Sequence, residues 1–402
     1  MAAADRYAGG DGRLSPLSTP SATRAVLEAH GIGTKYTLGQ NFLVNDDVLR
    51  KIVALAEVDT CDRILEVGPG IGTLTIALLK HTASVTAIER DPDLPAVLAD
   101  TLYPWREKFA LIEKDALDVT EGDIISAASA MGERGELAGS ARQASSAAEL
   151  ASAMVEPGGD AEYPDRASFA ANEAAPWAVS QSEGCLGESG HPASPPRKGL
   201  RADLPDKLVA NLPYAVAATV VLDYFERFPF LKSATVMVQK EVADRMAAAV
   251  GTKNYGAYTV KLGLYAEPAG RFAVGPGNFF PPPRVDSAVI RLNRRVPLMA
   301  DGSPAAPAVV AAAGMMADAA FCTRRKTLAN SCKAYFSGRG TVPLPTAGDA
   351  FAPPVGLEGA RVCAQLPALM EAAGVDPKRR GETLSQQEFL ALGQGLLALA
   401  GA

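Results

Sequence analysis

The stretch Asp62-Arg63-Ile64-Leu65-Glu66-Val67-Gly68-Pro69-Gly70-Ile71-Gly72-Thr73 constrains the fold of this chain more than any other. Its apolar run reads as a strand, breaks at closely spaced glycines, and resumes as a helix through Leu79. Strand, glycine loop and helix in that order open a dinucleotide-type α/β unit, where the lack of a Cβ lets the backbone approach a ligand. The spacing here is G-x-G-x-G, which departs from the G-x-G-x-x-G of the pyrophosphate fingerprint.

Two more strands extend the pattern. Ser84-Val85-Thr86-Ala87-Ile88 ends in Glu89, seventeen residues after Gly72, and the strand from Phe109 to Glu113 runs into Asp115. Open α/β sheets bind ligands at the carboxyl ends of their strands, and an acid there can accept both hydroxyls of a ribose. That chemistry serves NAD and S-adenosylmethionine equally well. Three successive strand ends carrying Gly68, Glu89 and Asp115 point to a nucleoside site.

A fourth apolar run, Lys207-Leu208-Val209-Ala210, stops at Asn211-Leu212-Pro213-Tyr214. Pro213 fixes its own φ and keeps Leu212 out of the helical region, so the strand ends in a stiff loop. The loop presents a carboxamide, a carbonyl and an aromatic ring together. The Asn211 oxygen and the Leu212 carbonyl can accept the two hydrogens of an exocyclic amine while Tyr214 stacks on the ring that carries it.

Around these motifs the chain divides by composition. Residues 1–22, rich in Gly, Ala, Ser and Pro, read as a disordered tail, and Thr34 to Leu43 leads into a helix capped by Asn45 or Asp46. Residues 120–203 lose all sustained periodicity and read as a low-complexity acidic insertion. The net charge of −6 is concentrated there: residues 121–200 hold twelve acidic and five basic side chains, so the remainder carries about +1. The expected α/β domain therefore spans 23–119 and 204–296. Within it 217–228 reads as a helix, 234–238 as a strand, 240–249 as a helix and 285–292 as a closing strand. Pro281-Pro282-Pro283 makes a stiff extended loop that can hold Phe279 in place. Residues 297–402 read as a helical C-terminal domain. It comprises a long helix over 309–336 bearing Arg324-Arg325-Lys326, a Pro/Gly-rich linker at 339–356, and a last helix opened by the capping box Ser385 to Glu388.

Five scattered cysteines without a CxxC pair or a His cluster indicate neither a zinc site nor a disulfide framework. Without a run of eighteen apolar residues or a basic, apolar leader, the sequence reads as a cytoplasmic protein with no membrane span.

Taken in order, Leu38-Gly39-Gln40-Asn41-Phe42-Leu43, Glu66-Val67-Gly68-Pro69-Gly70, Asn211-Leu212-Pro213-Tyr214, Gln239-Lys240-Glu241-Val242, Pro281-Pro282-Pro283-Arg284-Val285-Asp286-Ser287 and Arg324-Arg325-Lys326-Thr327-Leu328 resemble the small-subunit ribosomal RNA adenine dimethyltransferases. The resemblance covers about 34–119 and 206–295 and, more loosely, 309–337 and 371–395. It implies a Rossmann-like S-adenosylmethionine-dependent methyltransferase sheet with a small helical C-terminal domain. It also implies action on the small ribosomal subunit and its rRNA, dimethylating two adjacent adenosines in a hairpin loop near the 3′ end. Since the core motifs need no partner chain, a monomer is expected.

By position, Asn41, Leu43, Glu66, Gly68, Gly70, Glu89, Asp115 and Asn211 would form the cofactor site. Asn211, Leu212, Tyr214 and Phe279 would hold the target, with Tyr214 and Phe279 sandwiching it, and Arg324, Arg325 and Lys326 would meet RNA phosphates. The family usually continues the active loop with Asn-Ile-Ser-Thr; here Ala215-Val216-Ala217-Ala218 follows. Rival readings are a large-subunit rRNA adenine methyltransferase, a non-catalytic ribosome assembly factor and, more remotely, an NAD oxidoreductase.

Overall fold

The computed structural model describes residues 12–33, 40–131, 204–344 and 355–399. Its centre is a seven-stranded sheet in the order β4-β3-β2-β5-β6-β9-β7. These strands are β2 (Arg63–Val67), β3 (Ser84–Glu89), β4 (Phe109–Glu113), β5 (Lys207–Asn211), β6 (Ser233–Gln239), β7 (Ala266–Val274) and β9 (Ser287–Arg294). Strands β2 to β6 run parallel, and β9 lies antiparallel between β6 and β7. The chain order reverses between β2 and β5, so the crevice for a ligand opens at their carboxyl ends. Because β9 is antiparallel, its first residue, Ser287, returns to that same edge opposite Gln239.

The parallel strands are buried on both faces and accordingly read as continuous aliphatic runs. One apolar core lies under each face. Ile64, Ile76, Val85 and Val209 belong to the first; Leu65, Val220, Tyr224 and Ile290 belong to the second. A two-residue pairing of β1 (Phe42–Leu43) with β8 (Phe279–Phe280) sits beside the sheet and joins the N-terminal segment to the proline-rich loop.

A third core belongs to the C-terminal helices: α8 (Pro307–Phe321), α9 (Leu328–Ser337), α10 (Gly359–Ala372) and α11 (Gln386–Ala398), counted after seven earlier helices. Those seven are α1 (Pro20–Ala29), α2 (Asp46–Leu55), α3 (Thr73–Leu79), α4 (Leu94–Thr101), α5 (Ala217–Arg227), α6 (Lys240–Met246) and α7 (Ala257–Gly263). The capping box at Ser385 and Glu388 forms as the sequence implies, with the Ser385 Oγ accepting from the Glu388 N–H and the carboxylate accepting from the Ser385 N–H.

Several expectations are corrected. Residues 12–22 are not a loose tail. Leu17 is buried, and Oδ1 of Asp46 accepts from the N–H of Leu14 and Ser15 and from the Ser18 hydroxyl. Thr19 caps α1 ahead of Pro20. Asn45 therefore caps α2, and Asp46 serves the N-terminal segment instead.

Residues 121–131, assigned to the insertion, form a further helical stretch beyond α1–α11 and bury Ile124, Ala128 and Met131; the rest of that segment lies outside the described residues. The long helix expected over 309–336 breaks between Phe321 and Leu328, so Arg324-Arg325-Lys326 occupies a turn. In the linker, Thr341–Leu344 pairs antiparallel with Val355–Glu358. Helix α7 and strand β7 have no counterpart in the sequence reading. Among the described residues, Cys322, Cys332 and Cys363 are free thiols.

Candidate active site

The carboxyl ends of β2, β3, β5 and β6 and the segment after β4 meet around a cavity of about 490 Å3. Ten of the residues singled out in the sequence line it: Asn41, Leu43, Glu66, Gly68, Gly70, Glu89, Asp115, Asn211, Leu212 and Tyr214. They come from five separate stretches of chain: four lie at or just past strand ends of the central sheet, and the β1–β8 pairing seats the fifth, Asn41 with Leu43, beside them.

The glycine loop forms one wall. Gly68 has φ +70° and a Cβ there would lie 3.5 Å from the Pro213 ring, so the loop after β2 seats against the loop after β5. Gly70 has φ +60°, and a Cβ would come within 3.1 Å of the Phe42 ring. Both positions have a left-handed backbone that glycine adopts without strain, and at Gly70 the Phe42 ring also stands close.

Two carboxyls stand at the base. Glu66 is 1% exposed and its Oε2 has no hydrogen-bond partner in the protein. Burial pushes its carboxyl up to about 8; the nearby Glu89 adds to the rise and the Thr75 hydroxyl opposes it. Glu89 accepts from the backbone N–H groups of Arg90 and Asp91, each at 2.9 Å, and both bonds fall on Oε1. Its carboxyl too is raised by burial, against those N–H donors. A buried pair of acids with one oxygen lacking a partner suits a cationic ligand. Asp115, at the rim, accepts from Arg90 at 2.8 Å and from the Leu117 N–H at 3.1 Å.

The active loop is held from three sides. The Asn211 side-chain nitrogen donates to the Asn41 carbonyl at 3.1 Å, which assigns Oδ1 as the carboxamide's remaining acceptor. The Leu212 N–H donates to the Met237 carbonyl on β6 at 3.1 Å. The Tyr214 hydroxyl shares a 2.6 Å hydrogen bond with the Ser287 hydroxyl. Ala215, in the place of the usual Asn, and Val216, in the place of the usual Ile, also line the cavity.

Phe279 departs from expectation. It is 3% exposed, pairs with Leu43 across β1 and β8, and packs in the first apolar core; it does not line the cavity. Arg324, Arg325 and Lys326 lie in the C-terminal domain, outside the cavity. Sequence reasoning missed Ser287 as a partner of Tyr214, and it gave no role to Gln40 or Gln239, which line the cavity. Strand order places Gln239, the last residue of β6, at the site, and the β1–β8 pairing seats the segment that carries Gln40.

The sequence profile described as "Ribosomal RNA adenine dimethylase" matches residues 33–149 and 198–342. The chain belongs to that family. Its sequence is 31% identical over 389 residues to the ribosomal RNA small subunit methyltransferase A of Geobacillus kaustophilus, covering 96% of this chain and 98% of that one. It is 33% identical over 383 residues to the protein of the same name from Streptomyces griseus, covering 94% of each. Among solved structures, a dimethyladenosine transferase from Plasmodium falciparum superposes with a TM-score of 0.52 at 19% identity, covering 87% of this chain and 95% of that one. That likeness concerns the fold. Membership in the adenine dimethylase family gives the cavity its chemical context.

Proposed function

We propose that this chain transfers methyl groups from S-adenosylmethionine to the N6 of adenosine in small-subunit rRNA, as an rRNA adenine dimethyltransferase. The observation that carries the reading is the Asn211 carboxamide, held by Asn41 over a cavity whose base is two buried acids. The donor set fits the cofactor. Glu66, with its free Oε2, faces a positively charged ligand; Glu89 has the position of a ribose acceptor; Gly68 and Gly70 leave room for close approach. Asn41, Leu43 and Asp115 complete the holding set.

Once bound, S-adenosylmethionine supplies an electrophilic methyl on a sulfonium. The protein's task is to make an aryl amine nucleophilic, since its lone pair is delocalised into the ring. Asn211 Oδ1 and the Leu212 carbonyl accept the two N6 hydrogens, favouring a pyramidal nitrogen whose lone pair points at the methyl. Positioning and a dry site then supply most of the rate, and no strong general base is required. Water takes the proton that becomes acidic as the methyl adds. Tyr214 stacks on the adenine, which must leave its own stack at a cost of roughly a few kcal/mol, less in a loop than in a duplex.

We assign as target two adjacent adenosines in a hairpin loop near the rRNA 3′ end, modified as the subunit matures. The same reading takes the protein as a cytoplasmic monomer; among the described residues no helix is long and apolar enough to cross a membrane. Arg325 and Lys326, exposed in the α8–α9 turn, are assigned to RNA phosphate, while Arg324, tied to the Tyr255 carbonyl and Glu382, holds the turn. The curated relatives are named for the small subunit, which favours that target over the large one. Transfer of labelled methyl to undermethylated small subunits, large subunits and naked rRNA tests the choice. Label on small subunits alone supports it, and label on large subunits contradicts it.

A further inference from the structure

The proline-rich loop ends at Ser287, and the family reading gives that serine no role. Ser287 is 0% exposed, and its backbone is set between two strands, opposite Gln239 on one side and Val274 on the other. Its hydroxyl therefore occupies a fixed point at the carboxyl edge of the sheet. The group bonded to it there is the hydroxyl of Tyr214, 2.6 Å away and seventy-three positions earlier in the chain.

Tyr214 is half-buried on the cavity wall. One end of its side chain leaves a loop stiffened by Pro213; the other end is tied to Ser287. A ring anchored at both ends cannot swing about its first torsion, and it presents one face at one place. That is what a stacking platform for an extruded base requires, because the adenine of a bound subunit reaches its reacting orientation only against a ring already in place.

We propose that Ser287 is a positioning residue for methyl transfer, which holds the Tyr214 ring in the orientation that receives the target adenine. The inference rests on the function proposed above. Ser287 itself touches no substrate; it acts through the phenol. It makes the proline-rich loop a part of the active site through β9, although Phe279 of the same loop is buried in the core.

The competing account is a buried hydroxyl that has merely found a partner, and the two separate in kinetics. Steady-state methylation of undermethylated small subunits is measured for wild type, S287A, Y214F and the double variant, with S-adenosylmethionine affinity by calorimetry and unfolding temperature alongside. Y214F keeps the ring and loses only the hydroxyl, so it reports even if S287A folds poorly.

The expected result is a fall in kcat of roughly tenfold in either single variant, the worth of one well-made hydrogen bond. KM for subunits and cofactor affinity stay near wild type, and the double variant is no slower than the slower single one. Unchanged kcat in Y214F, multiplying losses in the double variant, or a loss of cofactor affinity that tracks the loss of rate overturns the role of Ser287. A wild-type chain that transfers no methyl overturns this inference and the proposed function together; an active wild type with any of the contrary patterns overturns this one alone.

Discussion

The carboxamide nitrogen of Asn211 donates to the backbone carbonyl of Asn41, 170 positions away in sequence, at 3.1 Å. The bond joins the segment that leads into β1 to the loop that ends β5, and it does so at the cavity. A carbonyl can only accept, so it selects the NH2 side of the amide and leaves the oxygen as the acceptor. Orientation of the group assigned to N6 is thus set before any ligand arrives.

Glu66 makes the site pH-dependent. Its carboxyl ionises near 4.5 when exposed and near 8 in the fold, so folding is penalised by this group increasingly as pH rises from 4.5 to 8. Below that window the penalty is absent; above it the penalty is complete. Glu66→Gln should therefore raise the unfolding temperature more at pH 8 than at pH 5, as read by calorimetry. A cationic ligand favours the ionised form, so cofactor binding near pH 7 should release protons. Titrations in buffers of differing ionisation enthalpy measure that release, and Glu66→Gln should abolish most of it.

Gly70→Ala places a Cβ at φ +60°, within 3.1 Å of the Phe42 ring. The left-handed backbone alone costs an alanine roughly 1–2 kcal/mol. The loop should shift to relieve it, and cofactor affinity should fall by about tenfold, the equivalent of that energy. Calorimetric titration checks the value, with far-ultraviolet circular dichroism confirming the fold.

In the C-terminal domain a Cβ at Gly393 on α11 would stand 2.5 Å from the backbone nitrogen of Ala313 on α8. Backbone cannot yield as a flexible side chain does. Gly393→Ala should destabilise the protein by roughly 1–3 kcal/mol despite alanine's higher helix propensity. Urea unfolding tests this; a stabilised variant would show that α8 and α11 do not approach so closely.

The three basic residues of the α8–α9 turn should not behave alike. Arg324 donates to the Tyr255 carbonyl and is paired with Glu382, so Arg324→Ala should lower stability. Arg325 and Lys326 are exposed. Substituting either by Ala should leave the unfolding temperature unchanged and weaken rRNA binding. The slope of log affinity against log salt should shrink by about 0.7–0.9 for each charge removed.

Much of this arrangement was legible in the sequence, for definite reasons. The parallel strands are short aliphatic runs that end at glycine, acid or Asn-Leu-Pro-Tyr, so both the strand and its ligand end could be read from one stretch. Other elements carry no such signal. Strand β7 contains Glu267, Pro268, Gly270 and Arg271 and is largely exposed, as an edge strand can be, so alternation fails along it. Residues 12–22 look like linker because their order depends on a distant carboxylate, Asp46. The resemblance puts Phe279 against the target, but pairing with Leu43 turns it into the core. The Tyr214–Ser287 bond depends on β9 running antiparallel, a property of the whole sheet.

The most direct test of the account is nucleoside mass spectrometry of undermethylated small subunits after incubation with S-adenosylmethionine and either wild-type protein or Asn211→Ala. The account predicts N6,N6-dimethyladenosine with wild type. With the variant it predicts a rate lower by roughly a hundredfold or more, the scale of losing one preorganised hydrogen-bonding group aimed at the reacting atom, while calorimetry still detects cofactor binding. Dimethyladenosine formed by Asn211→Ala at the wild-type rate would contradict it.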